Sequence, residues 1–505
     1  MLRDLSTLLV ATASLILIPS SQAAQTLAAG THLEARLSVP TGSRISHPGD
    51  RVEATVIAPV FDGTRLLIPQ GAIVSGTVES VERLGLGLKH ITSGIEYRFD
   101  KVQFPDGTTI PVAARVVQVE TAKERVNAEG MIGGIYPTAN LSSGAAVYLL
   151  PLLCVDPEVG VPLLGIKSLI ARSPDPEIYF PAGTEIILQL TTDADIPDPS
   201  VPLSDVASLS SAELADARQL LARLPEQQTD SGRDKPSDLI NILFLGSRES
   251  INRAFQAAGW FGAQLRSMRS IYRMYHSMEQ RMGYSMAPMG NLTLNGATAD
   301  VDYQKSLDTF SKRHHVRLWK QGQGDAWVSA ATEDIGYKLR GMHLTHATDP
   351  LIDNERAKVL NDLVFTGCVD AAALMTRDSF DADGRERSIR TDGKVAVLRI
   401  NHCRNPRAMP SQLTQAEHPR RRSVQVLIAL RNDLIRTNPI SLGYNTAKAL
   451  RSHKDSKVDE PVSTGSSNRE QTASSADNTR STWIRPSVLD ATTARQTETG
   501  RAGYR

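Results

Sequence analysis

The residues of this sequence that could do chemistry are concentrated between positions 314 and 353. Four of the eleven histidines lie there with several aspartates, so nitrogen and oxygen donors are dense in this segment. A catalytic Zn²⁺ takes three protein ligands and keeps one position open for water. The segment therefore predicts a hydrolytic site with a divalent metal such as Zn. The predicted metal ligands are His314, His315, His346 and Asp349, and the predicted catalytic base is Glu333 or Asp334.

A second interpretation of the same histidines is structural. Alternation along a strand puts His314 and His315 on opposite faces, so only one of them can belong to a given site. The sequence has no His-Glu-x-x-His motif and no nucleophile elbow. Histidines that hold a hairpin and a loop together by hydrogen bonds explain the pattern equally simply, and we favour this interpretation.

The elements around these residues predict an α+β domain over residues 238–405. The runs HHVRLWK and AWVSAAT flank a Gly-rich turn and predict a hairpin. The loop THATDPLID then leads to a helix, for which Asp353 is the predicted N-cap. The apolar positions Ala357, Leu360, Leu363 and Val364 give that helix its inner face.

The first half of the chain, residues 25–195, predicts an all-β sandwich or barrel. Short alternating runs are separated by turn clusters such as Pro48-Gly49-Asp50 and Pro105-Asp106-Gly107. The triplet Ala-Gly-Thr precedes a strand at 29–31 and again at 182–184, so we expect these two strands to be neighbours. The fold class is thus multidomain, with an N-terminal all-β domain and a C-terminal α+β domain.

The N-terminus predicts export. Residues 1–24 combine a basic residue, an apolar run and small residues before the expected cleavage site, as in a signal peptide. The predicted localisation is the periplasm or cell envelope, where disulfides form. Of the three cysteines, Cys368 and Cys403 flank predicted strands in one region and predict a disulfide, which leaves Cys154 as a thiol.

Three further segments complete the domain organisation. Residues 196–237 are a Pro/Ser-rich linker with one helix, which Ser210 and Glu213 begin as a capping box. Residues 406–451 form a basic amphipathic helical segment, in which 420–436 is expected to contact an envelope protein or a membrane surface. Residues 452–505 lack an apolar period and predict a disordered tail. The formal net charge of +1 gives no reason to expect a nucleic-acid partner.

The motifs of the second half, taken in order, are similar to the LssY C-terminal domain family. They are LGSRESINRAFQAAGW ending at Trp260, KRHHVRLW at 312–319, AATED at 330–334 and THATDPLID at 345–353. The resemblance covers about residues 238–405, with 450 as its outer limit. The family is bacterial and often accompanies membrane segments, and no activity carries over from it.

The strand starts and the glycine-rich insertion of residues 29–193 resemble the β domain of the outer-membrane pore component of type IV secretion systems. Neither resemblance supplies a mechanism. The sequence therefore predicts an exported envelope protein with a β-rich binding or assembly module and an LssY-like domain of unassigned activity. The alternative is a metal-dependent hydrolase that uses the His-rich hairpin and the THATDPLID loop.

Overall fold

The computed structural model describes residues 25–437 except for 63–64, 88–89, 91, 121–122, 137–173, 197–205, 231–235, 282, 291, 307–311, 341–342, 378–388, 402 and 404–420. The predicted signal peptide, Cys154 and the predicted tail lie outside the described residues. Within them, no helix is both long and apolar enough to cross a membrane.

The described residues of the first half form fourteen strands, most of them short. They are β1 Gln25–Leu27, β2 His32–Leu37, β3 Thr41–Gly42, β4 Arg51–Val56, β5 Val60–Asp62, β6 Arg65–Ile68, β7 Ile73–Glu82, β8 Gly94–Gln103, β9 Thr109–Val119, β10 Arg125–Val126, β11 Ile132–Gly133, β12 Tyr179–Phe180, β13 Glu185–Leu190 and β14 Ala194–Ile196.

Six of these strands close into an antiparallel barrel. The order β8-β7-β4-β2-β13-β9 returns to β8, because β8 pairs with both β7 and β9. Inward-facing side chains such as Leu33, Val74, Phe99 and Leu188 fill it and are fully buried. The two strands that follow the Ala-Gly-Thr triplets, β2 and β13, are neighbours as expected. The predicted all-β fold of this half is confirmed.

The second half mixes strands with helices. Its strands are β15 Ala207–Ser208, β16 Gln227–Asp230, β17 Pro236–Leu239, β18 Ile242–Leu245, β19 Phe261–Gly262, β20 Leu292–Leu294, β21 Ala297–Thr298, β22 Val301–Ser306, β23 Lys312–Gln321, β24 Ala326–Arg340, β25 His343–Thr348, β26 Val369–Thr376 and β27 Lys394–Ile400. The helices are α1 Ser211–Ala222, α2 Arg248–Ala257, α3 Met268–Gln280, α4 Ile352–Phe365 and, at the end of the described chain, α5 Arg422–Thr437.

A large mixed sheet organises this half, in the order β15-β26-β27-β18-β24-β23-β22-β19 with β25 added on β24. One face packs against α2 and α4 through residues such as Phe244, Phe255 and Leu363. The other face packs against α1 through Leu221, Leu243 and others. The α+β prediction is confirmed, and the capping box of Ser210 and Glu213 begins α1 as expected.

A disulfide joins Cys368, at the start of β26, to Cys403, beyond the end of β27. It fastens the ends of two paired strands, so the chain between them forms a closed loop. The prediction from sequence placed this pair correctly.

Helix α5 docks on the first half of the chain. Asn432 donates its Nδ2 to the carbonyl of Pro174 at 2.9 Å, and Arg431 pairs with Asp175 at 3.0 Å. Ile435 packs directly over Gly87. The apolar residues of α5 divide between two directions, since Ile435 is buried whereas Leu427 is 65% exposed.

Candidate functional site

The predicted hairpin positions the two adjacent histidines. Strands β23 and β24 pair antiparallel, with His314 opposite Glu333 and His315 opposite Thr332. His314 shares its face with Val316 in the core beneath α2 and α4, as the alternation predicts. The histidines therefore serve different surroundings on the two faces of one sheet.

His314 lies in a buried cluster of carboxylates drawn from both halves of the chain. Its Nδ1 is 2.7 Å from Glu355 Oε2 on α4, and its Nε2 is 3.4 Å from Glu120 Oε2, just beyond β9 of the barrel. Burial by itself would lower the pKa of His314, but Glu355, Glu120 and Glu333 together hold that pKa well above its usual range.

The arrangement suits a metal ion as well as a proton. One ligand atom each from His314, Glu333 and Glu355 lies within 4.8 Å of the other two, and all three residues are buried. Oε1 of Glu355 is buried without a hydrogen-bond partner among the described residues. One imidazole nitrogen and carboxylate oxygens are a donor set that divalent first-row metals accept.

The other predicted site residues are placed elsewhere. His315 lies 3.8 Å from Asp238 and 3.7 Å from Asp334, on the opposite face from His314. Asp334 also pairs with Arg313 at 2.9 Å. The histidine hairpin thus brings together His314 and Glu333 from the predicted set, whereas His315 and Asp334 form a second, separate group.

The segment THATDPLID was predicted to be a loop, but its first four residues belong to strand β25, which pairs with β24 beside the hairpin. The backbone of His346 pairs with Tyr337, four residues beyond Glu333 on β24, which is about 13 Å along a strand. Asp349 donates its backbone N–H to the carbonyl of Glu333, and its carboxylate accepts from the N–H of Leu351.

Asp353 is not the N-cap of α4, so that prediction was wrong. The helix begins at Ile352 with Leu351 in the cap position and no side-chain cap. Asp353 instead accepts hydrogen bonds from the backbone N–H of Asp392 at 2.6 Å and from Arg356 at 3.1 Å. The carboxylate of Asp353 therefore binds the turn before β27 and does not cap the helix.

Helix α4 is enclosed on all sides. Every residue from Ile352 to Phe365 except Asn354 is buried. Its apolar side, including the predicted Leu360 and Leu363, packs on the sheet of the second half. Its charged side faces strands β2 and β13 of the barrel, so the helix is the central layer between the two halves.

Six ionised side chains meet where α4 faces the barrel, and we call them the six-charge cluster. They are Glu34, Arg36, Glu185, Lys305, Lys358 and Asp362. The barrel contributes the first three, β22 contributes Lys305 and α4 contributes the last two. The three cations and three anions sum to zero, so a large buried charge set is internally compensated.

Asp362 and Glu185 are the two centres of the six-charge cluster. Asp362 has a fully buried side chain and accepts from Arg36 at 2.7 Å, from Trp260 Nε1 at 2.9 Å and from Lys305 at 3.2 Å. Glu185 accepts from Arg36 Nε at 2.7 Å and pairs closely with Lys305 and Lys358. Each carboxylate is therefore bound by several cations.

The pKa of each carboxylate in the six-charge cluster follows from the number of cations that contact it. Burial would raise the pKa of Glu185 and Asp362, but Lys305, Lys358 and Arg36 lower both below their usual range. Glu34 has one lysine partner, Lys358 at 2.7 Å, and burial outweighs it, so its pKa is raised. Glu185 and Asp362 are accordingly the carboxylates whose ionisation stabilises the fold.

The sequence did not reveal the six-charge cluster. Its residues lie on four elements separated by up to 328 positions, from Glu34 to Asp362. The one local signal is on α4, where Glu355, Lys358 and Asp362 share a face at spacings of three and four. Such a face looks like any solvated helix surface until the opposing barrel is known.

Comparison with known protein families supports the resemblance of the second half to the LssY C-terminal domain family. The family described as LssY C-terminus matches residues 221–395. The match begins within α1, earlier than the boundary at 238 expected from the motifs, and it includes β23, β24 and α4. The hairpin, the loop and the helix of the candidate site therefore all belong to the matched region.

Among solved structures, the chain is similar to ComB10 of the Com type IV secretion system of Helicobacter pylori. The identity is 17%, the match covers 34% of this chain and 92% of that chain, and the TM-score is 0.20. A TM-score of that size carries no argument about fold or function. No curated protein matches the chain.

Proposed function

We propose that this chain is an exported protein of the bacterial cell envelope, in which the barrel and the LssY-like region form one rigid scaffold for binding or assembly. The observation that carries the proposal is the six-charge cluster. Separating the halves would break the buried pairs of Arg36 with Asp362 and of Glu185 with Lys305 and Lys358. Because these pairs cross the contact and are buried on both sides, the halves should move together.

Export is supported by two features of the chain. Residues 1–24 have the composition of a signal peptide. The disulfide of Cys368 and Cys403 is of a kind that persists in oxidising compartments. Fractionation of the producing bacterium tests this part directly. We expect the chain in the periplasmic or envelope fraction, and recovery entirely from the cytoplasm would refute it.

The scaffold is tested with the full chain by adding a protease site within residues 197–205. After cleavage, we expect the two pieces to elute together in size-exclusion chromatography, because the contacts across α4 hold them. The same chain with Asp362→Asn should separate more readily. The matched control is Glu249→Gln, which removes a charge from an exposed pair on α2. Separation of the unmodified pieces at micromolar concentration would refute the rigid scaffold.

We further propose that the segment 420–436 contacts an anionic membrane surface. Residues 404–451 carry nine basic against two acidic side chains, a local net charge of +7. On α5, Leu427 is 65% exposed and Leu430 is 37% exposed, and Arg421, which precedes the helix, is also exposed. Exposed apolar side chains on a helix of a basic segment are typical of helices that lie in the headgroup region.

Co-sedimentation with phosphatidylglycerol vesicles tests that contact. Leu427→Ser with Leu430→Ser should weaken binding about tenfold or more, since burying one leucine contributes about 1.5–3 kcal/mol. Leu265→Ser is the matched control, because Leu265 is 90% exposed and lies outside α5. If the changes in α5 left vesicle binding intact, the membrane proposal would be wrong, and an envelope protein would be the expected partner of this segment.

The hydrolase alternative has one observation in its favour, the cluster of His314, Glu333 and Glu355. A catalytic metal needs a position open to water and substrate. These three residues are 3%, 5% and 3% exposed, and His314 also contacts Glu120 of the barrel, so the geometry favours a structural role at the contact between the halves. Hydrolysis of ester or phosphate substrates by the metal-loaded chain, lost on Glu355→Gln, would revive the enzyme interpretation.

A further inference from the structure

A buried histidine at the contact between the two halves is surrounded by three carboxylates. His314 is 3% exposed and lies between Glu355 of α4 and Glu120 of the barrel. Glu333 is directly across the hairpin from it, on the same face. Strand pairing and the buried helix thus fix three potential ligands on rigid elements.

The separations are close to those of a bound ion. Ligand atoms of His314, Glu333 and Glu355 all lie within 4.8 Å of one another. Around a tetrahedral Zn²⁺, with bonds of about 2.1 Å, neighbouring ligand atoms are about 3.4 Å apart. His314 Nδ1 and Glu355 Oε2 are 2.7 Å apart, and the remaining separations are no larger than 4.8 Å, so small side-chain adjustments would place an ion between the three residues.

A second observation points independently to a missing ligand. Oε1 of Glu355 is buried and has no hydrogen-bond partner among the described residues. A carboxylate oxygen left in this state costs free energy, so such atoms usually have a ligand, an ion or a water. A cation between Glu355 and Glu333 would satisfy it.

We propose that His314, Glu333 and Glu355 bind one divalent transition-metal ion, and that Glu120 of the barrel holds the imidazole in place. In this arrangement, the ion replaces the proton that lies between Nδ1 and Glu355, that proton is released to the solvent, and Nε2 donates its own proton to Glu120. Carboxylates that accept from a metal-bound histidine fix the ring and its tautomer. The ion would therefore fasten the α+β region to the barrel beside the six-charge cluster.

The proposal is tested on the full chain, purified from the periplasm, dialysed against chelator and then titrated with Zn²⁺ or Mn²⁺ by calorimetry. We expect one equivalent to bind and the melting temperature to rise. Glu355→Gln and His314→Gln should lower the affinity at least 100-fold. Glu120→Gln should lower it about 10–100-fold, as a change behind a ligand usually does.

His315→Gln is the matched control, because it alters the next residue on the opposite face of the same strand. It should leave the affinity unchanged. Co²⁺ offers a second readout, since ligation by a buried histidine gives visible absorption that the Glu355→Gln chain should lack. The circular dichroism of each variant shows whether it has folded.

Absence of saturable binding by the unmodified chain would overturn the proposal. Equal binding by His314→Gln and His315→Gln would also overturn it, because the ion would then be adventitious. The outcome is separate from that of the scaffold test. Cleaved pieces could stay together without metal, and metal could bind to a chain whose cleaved pieces separate.

Discussion

The change Asp362→Asn should destabilise the protein far more than an ordinary loss of one surface charge. The side chain of Asp362 is fully buried and is bound by Arg36, Lys305, Lys358 and Trp260. Removing its charge turns the neutral six-charge cluster into one with an excess of +1. Breaking a buried ionic set in this way costs about 3–5 kcal/mol.

The lower end of that range is the better expectation at neutral pH. The asparagine oxygen can still accept from Arg36 or Trp260, which preserves part of the hydrogen bonding. Burial already lowers the pKa of Lys305. In the variant, that lysine can lose its proton and restore neutrality more easily as the pH rises. We therefore expect a loss of about 3 kcal/mol at pH 7 that becomes smaller as the pH rises.

Urea denaturation followed by tryptophan fluorescence measures the effect, with circular dichroism as a second probe of two-state behaviour. Glu249→Gln is the control, because its pair with Arg253 joins neighbouring turns of α2 and Glu249 is 79% exposed. That change should cost no more than about 0.5 kcal/mol. The compensating double change Asp362→Asn with Lys305→Met should recover at least about 1 kcal/mol relative to the sum of the single changes.

Two results would contradict this prediction. Asp362→Asn and Glu249→Gln would have the same effect on the free energy of unfolding, or the double variant would show no coupling. Either result would mean that water or other groups compensate Asp362, and that the six-charge cluster does not hold the two halves together.

Three shorter predictions concern other parts of the same structure. First, stability should fall in acid, because a carboxylate with a lowered pKa stabilises the fold above its unfolded pKa of about 4 and ceases to do so as the pH falls through its folded value. In urea titrations below about pH 5, Asp362→Asn should make the free energy of unfolding depend less on pH. Glu34 has a raised pKa and contributes a dependence of the opposite sign in both chains. Second, Cys368→Ser with Cys403→Ser should cost about 3–4 kcal/mol, since the disulfide closes a separation of 35 residues, and alkylation before and after reduction should count one and then three thiols; three thiols before reduction would contradict it. Third, Gly87→Ala should cost about 1–2 kcal/mol and speed hydrogen exchange in α5, because the residue has a positive φ of 73° and its Cβ would lie 2.7 Å from Ile435; unchanged exchange would show that α5 does not depend on this contact.

Local sequence patterns were enough to predict the longer strands and helices and to show which of their side chains share a face. The alternation along HHVRLWK separated His314 from His315, and the structure puts them in different surroundings as expected. The repeated Ala-Gly-Thr triplet identified β2 and β13 as neighbours. These predictions succeeded because a strand or helix turns its side chains by a fixed period, which the sequence carries by itself.

The structure brings only some of the predicted site residues together. His314 and Glu333 come together, but Glu355 and Glu120 were absent from the predicted set, and Asp353 was assigned to the wrong role. Glu120 lies 194 positions from His314, so no spacing rule connects them. Asp353 lies inside the first turn of α4, after the cap position, and its carboxylate accepts from a turn almost forty residues later.

Local patterns predicted the longer strands, most of the helices, the disulfide partners and the apolar faces that pack within each half. The places of the charged faces depend on tertiary contacts. The charged side of α4 could have faced water, but it faces the barrel, where Lys358 and Asp362 are buried against Arg36 and Glu185. The physical reason is that apolar burial follows a local period, whereas the compensation of a buried charge depends on partners brought from anywhere in the chain.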